Sequence, residues 1–149
     1  MGCPKQGCGL KKNEKVKKLP KYRSGLEKLV AVLMRQKGLV HEHEVTTLHY
    51  VSPAKKHRYL VDFSVSGVND SLVYVETKGR LKNADRIKMK LVVAQHPDKQ
   101  IVMMFSQPKN KIYKNSKTTY AAWCEEHGIK WCSLDEFEKD PKGTLLRCL

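Results

Sequence analysis

The 149-residue sequence predicts an α/β fold, a mixed β-sheet flanked by helices. Two patterns carry that expectation. Apolar residues at helical spacing follow a basic leader, and clean period-two alternation comes after them. Toward the C-terminus, strand-like runs alternate with helical ones, the order that packs helices against a sheet. The length suits one domain, which can bury roughly 70% of its unfolded surface without disulfide or metal staples.

Residues 1–22 read as a flexible basic tail. Lys5, Lys11, Lys12, Lys15, Lys17, Lys18 and Lys21 crowd it, with Glu14 its lone acid. Residues 23–149 form the folded domain. A helix starts near Ser24, where Ser24-Gly25-Leu26-Glu27 has the form of a capping box. Leu26, Leu29, Val30, Leu33 and Met34 share its apolar face, and Gly38 stops it. Residues 41–51 favour strand through Val45, Thr46, Thr47, Leu48, Tyr50 and Val51. His41 and His43 flank Glu42 there and read as exposed edge positions, with metal ligation as the alternative. Ser52-Pro53-Ala54 breaks the run. Tyr59, Val61, Phe63 and Val65 then alternate as a strand, with Asp62 on the opposite face. Residues 66–70 make a turn and 72–77 the next strand, so 58–78 is expected to be one antiparallel hairpin. A helix from Asn83 to Gln95 ends before Pro97. The apolar run 100–105 fits a buried strand. A basic loop over 108–117 carries Lys109, Lys111, Lys114, Lys117 and Tyr113. A helix over about 118–127 closes at Gly128. A short strand at 129–132 and one helical turn at 134–138 complete the order.

Lysine and arginine number 29 against 15 acids, a formal net charge of +14. That excess predicts a polyanionic partner, nucleic acid first, and says nothing about fold. No apolar run is long enough to cross a bilayer, and no apolar signal-peptide core opens the chain. An odd count of 5 cysteines then fits reduced thiols in a cytoplasm. Cys3 and Cys8 lack a second pair to complete a zinc site and read as free thiols. The expectation is a cytoplasmic protein with no membrane partner and no small-molecule cofactor.

The chemistry lies at the end of Leu72-Val73-Tyr74-Val75, in Glu76-Thr77-Lys78. Strand alternation puts Glu76 and Lys78 on one side. Asp62 precedes Glu76 by 14 residues, about one hairpin. Two converging carboxylates bind a divalent cation, here Mg²⁺ with Mn²⁺ as a substitute. A lysine beside them can hold a water or offset transition-state charge. Glu27 either reaches this site from the first helix or serves only its capping box. A plain cross-strand salt bridge is the other reading of Glu76 and Lys78. With the basic excess, the expectation is metal-assisted phosphodiester hydrolysis. A non-catalytic basic nucleic-acid-binding protein is the alternative outside enzymology.

An Asp followed by Glu-x-Lys on a hairpin resembles the signature of the PD-(D/E)xK nuclease superfamily, with Val61 in place of the usual proline. More closely, the chain resembles the phage endonuclease I family, the T-seven-type Holliday-junction resolvases. The residues that carry this are Arg23-Ser24-Gly25-Leu26-Glu27, Tyr59, Asp62-Phe63 and Val75-Glu76-Thr77-Lys78-Gly79. They continue in order through Gln95-His96-Pro97, Tyr113-Lys114 and Cys124-Glu125-Glu126-His127-Gly128-Ile129-Lys130. The resemblance implies a restriction-endonuclease-like core with Glu27, Asp62, Glu76 and Lys78 catalytic. It implies metal held by Asp62, Glu76, the main-chain carbonyl of Thr77, and Glu27. It further implies a domain-swapped homodimer, acting on four-way and other branched DNA in a host cytoplasm. A bridging strand at about 49–54 would be exchanged, and each site would take Glu27 from one subunit and the other three groups from its partner. Lys21, Arg23, Arg86, Lys109, Lys111 and Lys114 are the expected DNA contacts. A sequence-specific restriction-type nuclease on the same core is the nearest rival. The family's strongly basic C-terminus is replaced here by Gly143-Thr144-Leu145-Leu146-Arg147-Cys148-Leu149.

Overall fold

The computed structural model describes residues 21–52 and 55–149. Most of the tail expected at 1–22 lies outside the described residues, as do Cys3, Cys8 and Pro53. In chain order the elements are α1 (Gly25–Gln36), β1 (Val40–His43), β2 (Thr47–Ser52), β3 (Lys55–Leu60), β4 (Phe63–Val68) and β5 (Ser71–Lys78). They continue with α2 (Asn83–Gln95), β6 (Gln100–Phe105), α3 (Tyr120–Glu126), β7 (Lys130–Ser133), α4 (Leu134–Lys139) and α5 (Pro141–Arg147). The main sheet runs β1-β4-β5-β6-β7, and β2 and β3 make a separate two-stranded hairpin. Pairing is antiparallel from β1 to β5 and parallel from β5 to β7. The mixed sheet flanked by helices is therefore as expected.

Each face of the sheet carries its own core. Val73 and Val75 of β5 pack on one side with Val30 and Met34 of α1, Phe137 of α4 and Leu145 of α5. Tyr74 packs on the other with Met89 and Val92 of α2, Trp123 of α3, and Leu48 and Tyr59 of the hairpin. β5 is thus covered on both faces and reads as a near-continuous apolar run, as a central strand with parallel pairing should.

Several local expectations hold. Ser24 caps α1, accepting from the Glu27 N–H at 3.1 Å. The reciprocal bond differs: the Glu27 carboxylate accepts from the Arg23 N–H, one residue before the cap. Gly38 takes φ +67, the left-handed stop anticipated after α1. α2 and β6 have the expected bounds.

Other expectations are corrected. The segment 41–51 is two strands, because the chain turns between them with Glu44 at φ 51. The stretch 58–78 is not one hairpin. It breaks at Val61 and Asp62 as the chain leaves β3 and joins the main sheet as β4. The alternating set Tyr59, Val61, Phe63 and Val65 therefore divides, the first two entering one core and the last two the other. α5 was not anticipated; Asp140 caps it through the Gly143 N–H, and Pro141 supplies a preset φ in its first turn. Among the described residues no helix is long and apolar enough to cross a membrane.

β4 and β5 join through Asn69 and Asp70, both left-handed at φ 52 and 54, with Val68 opposite Ser71. Such a turn favours glycine at its second position. Asp70→Gly is expected to stabilise the fold by about 0.5 kcal/mol, because an L-residue is disfavoured in the left-handed region. Urea melts check this, and an unchanged or lowered midpoint contradicts the reading of the turn.

Candidate active site

The break between β3 and β4 delivers Asp62. β4 runs antiparallel to β5 with Phe63 opposite Val75, so the residue before Phe63 lies beside Glu76 and Thr77. Thr77 fixes Asp62 doubly: its N–H and its Oγ1 both donate to Asp62 Oδ2 at 2.9 Å. The other Asp62 oxygen has no hydrogen-bond partner among the described residues.

Glu76 ends the apolar part of β5 and is only 3% exposed. Lys78, two residues on and on the same face, donates to Glu76 Oε1 at 2.7 Å. Glu76 Oε2 is buried beside the equally buried Tyr59 hydroxyl, and neither atom makes a hydrogen bond of ordinary geometry. An unpaired carboxylate oxygen away from water is costly unless something positive meets it. Burial, then the neighbouring Asp62 charge, raises the Glu76 pKa above its ordinary value against the pull of Lys78. Burial likewise raises that of Asp62, against the Thr77 hydrogen bonds and Lys78. Burial pulls the Lys78 pKa down, but Glu76, Asp85 and Asp62 outweigh it and hold the ammonium protonated.

Glu27 shares the cavity of about 360 Å³ that Asp62, Glu76, Thr77, Lys78, Arg23 and Arg58 line. It arrives on α1, and its oxygens are already engaged. Oε2 meets His43 Nε2 at 2.9 Å and the Arg23 N–H at 3.2 Å; Oε1 accepts from Ser24 Oγ at 3.0 Å. Burial favours the neutral acid, yet the hydrogen bonds from His43, Arg23 and Ser24 prevail and hold its pKa below the ordinary value. Its ligand-forming atoms group with those of His43 and Glu44, all within 4.8 Å of one another. Arg23 pairs with Glu44 at 2.6 Å.

One chain therefore brings Glu27, Asp62, Glu76 and Lys78 to one cavity, but in two groups. Asp62, Glu76 and Lys78 touch or nearly touch at the carboxyl end of β5. Glu27 stands apart with His43. His43, expected as an exposed edge position, is instead packed against Tyr22 and Phe63. Its i, i+2 spacing with His41 gave no sign of this, because the signal is the sequence-distant pairing of β1 with β4. Lys21, Lys109, Lys111 and Lys114 are exposed. Arg86 is half-buried and donates to the carbonyls of Leu81 and Ile112.

Residues 8–136 match the family model of phage endonuclease I. The chain belongs to that family. Endonuclease I of Escherichia phage T7 is 38% identical over 130 residues, covering 85% of each chain. Endodeoxyribonuclease 1 of Enterobacteria phage T3 is 39% identical over 108 residues, which is 72% of this chain and 68% of that one. A solved structure, protein VC1899 from Vibrio cholerae, shares 14% identity at a TM-score of 0.47, over 82% of this chain and 32% of its own.

The donor set fits a hard divalent cation: two carboxylates, each with an oxygen to spare, one of them buried. Mg²⁺ or Mn²⁺ is expected to raise the melting temperature of the wild type, by the equivalent of about 2.7 kcal/mol at a hundred times the Kd. Glu76→Gln is expected to abolish that shift, measured by thermal melts with EDTA as the blank. A shift that survives the substitution would move the metal to the Glu27–His43–Glu44 group.

Proposed function

We propose that this chain is a Mg²⁺-dependent, structure-selective DNA endonuclease that resolves four-way junctions and other branched DNA. The observation that carries the reading is the buried, unpartnered Glu76 oxygen beside Asp62, with Lys78 at 2.7 Å from the other oxygen of the same carboxylate. A plain surface salt bridge leaves no buried oxygen unmet. Membership of the phage endonuclease I family and the names of the two phage relatives support DNA as the substrate.

A divalent cation, when bound, supplies Lewis acidity toward phosphate oxygens and makes water more acidic. Asp62, Glu76 and the main-chain carbonyl of Thr77 would hold it, with Glu27 at a second position. Thr77 keeps Asp62 in one rotamer, so its free oxygen needs no reorganisation. Lys78, its pKa raised by Glu76, Asp85 and Asp62 against burial, presents an ammonium at the cavity, where charge accumulates on a phosphate under attack. Hydrolysis leaves a 5′-phosphate and a 3′-hydroxyl. Phosphate contacts dominate recognition of a junction, and its shape supplies selectivity.

The protein acts as a homodimer that exchanges the segment at about 49–54, so that two sites face the two symmetric strands of a junction. In the single chain residues 49–52 of that segment lie in β2, paired antiparallel with β3. α2 grips it: Gln95 accepts from the Val51 N–H and donates to the Val51 carbonyl.

Cleavage of a four-way junction against a linear duplex of the same arms tests the reading. The wild type should nick the junction preferentially and only with Mg²⁺. Glu76→Gln should lower cleavage by at least ~100-fold, the scale of losing one charge-stabilising group, while junction binding in EDTA persists. Equal cutting of both substrates would favour a restriction-type enzyme, and undiminished cutting by Glu76→Gln would remove the site assignment.

Subunit exchange tests the sharing of sites. Mixed Glu27→Ala and Lys78→Ala chains should regain nicking, since one heterodimer site keeps all four groups. Failure to recover activity after verified exchange argues that each site belongs to one chain.

A further inference from the structure

A second cavity, of about 480 Å³, opens beside the active site. It starts at Arg80, two residues past Lys78, and lies between the first turn of α2 and the loop before α3. Arg80, Lys82, Arg86, Lys111, Lys114 and Tyr113 are among its lining residues. Arg86 is committed to carbonyls and forms a wall. Among the described residues the other four cations form no ion pair. The nearest acid, Asp85, is absent from the lining; it pairs with Lys78 and Lys88 and accepts from the Lys82 N–H. The N-terminal end of α2 opens here through Asn83, adding the positive end of a 13-residue helix. Tyr113 stands on the rim and is 61% exposed.

These features make different demands on a ligand. Four unpaired cations and a helix N-terminus call for phosphate. An exposed tyrosine among them can donate its hydroxyl to a phosphate oxygen, as many side chains can, and in addition offers a face on which a base can stack. A base within a duplex is already stacked on both sides. An unpaired base has a free face, and a cavity of this size accommodates a nucleotide rather than a double helix.

We propose that this cavity binds an unpaired nucleotide of the DNA strand that passes through the active site, its base on Tyr113 and its phosphate among Arg80, Lys82, Lys111 and Lys114. The inference rests on the nuclease reading for its substrate and adds a source of selectivity for branch points. Branched DNA with a single-stranded arm, flap or gap supplies such nucleotides next to the cut; a linear duplex, and a four-way junction with every base paired, do not.

Binding by the full chain in EDTA tests it, with fluorescein-labelled oligo-dT of about eight nucleotides, a length within known single-strand site sizes, and a hairpin duplex as the second probe. Tyr113→Ala should weaken oligo-dT binding by about 5- to 150-fold, the range for losing one stacked base, and leave duplex binding and the melting temperature unchanged. Lys82→Ala should lower the slope of log affinity against log salt by about 0.7, one phosphate contact on a single strand. Equal oligo-dT affinity of Tyr113→Ala and wild type overturns the proposal, and so does an equal loss on the duplex. If Tyr113→Ala loses oligo-dT while the wild type cuts no DNA with Mg²⁺, the cavity stands and the nuclease reading falls. If the wild type cuts branched DNA but Tyr113→Ala binds normally, only the cavity falls.

Discussion

A carboxylate buried with one oxygen unmet governs this fold. Glu76 sits in the buried stretch of the central strand β5, where an ionised acid is expensive. Three neighbours exist in their positions to deal with it. Lys78 supplies a counter-charge to one oxygen. Asp62 adds a second negative charge instead of relieving the first, and so raises the Glu76 pKa further. Thr77 spends both its N–H and its hydroxyl on Asp62, holding the two acids together against their repulsion. The strand break at Val61 and Asp62 follows from the same need. A continuous β3–β4 strand would keep Tyr59 and Phe63 on one face, and the chain instead crosses from one core to the other as it delivers Asp62.

Glu27 answers to a different part of the structure. It rides on α1, which packs on the Val73 and Val75 face, whereas Glu76 and Lys78 belong to the Tyr74 face. Reaching the cavity from there, it stops at His43, Arg23 and Ser24. Those bonds keep it ionised in a half-dry setting and fix its direction. The β2–β3 hairpin stands between the two groups in sequence, and its bonds to α2 are made by backbone atoms of residues 49 and 51. Backbone bonds do not depend on which chain supplies the strand. An exchanged hairpin would satisfy Gln95 and His96 equally well, so exchange need cost little at that contact.

Much of this was legible in the sequence because it is local. The Ser24 cap, the stop at Gly38, the bounds of α2 and the apolar run of β6 all follow from residues within a few positions of one another. Glu76 and Lys78 share a face by strand period alone. What stayed hidden depends on pairing across distance. The run 41–51 has strand composition throughout, and nothing in it marks Glu44 as a turn in the left-handed region. His43 has the pattern of an edge residue; only the β1–β4 register, which sets His43 opposite Phe63, shows that its ring is packed. The resemblance to the phage family singled out Glu27, yet the hydrogen bonds that engage its carboxylate had no sequence signature beyond the capping box.

The distribution of charge, more than its total, separates an enzyme from an adhesive. A net charge of +14 would bind any polyanion. Around the active site it is divided by Asp85. That residue lies 3.7 Å from the ammonium groups of both Lys78 and Lys88 and also accepts from the Lys82 N–H. It helps keep Lys78, paired with Glu76, charged. Just before α2, Arg80 and Lys82 are left without ion pairs among the described residues. The two cavities are therefore unlike in charge: one is lined by Glu27, Asp62 and Glu76 beside its cations, the other by cations with no acid among its lining residues. Under the proposed function binding and cutting are separable, with metal required only for the second.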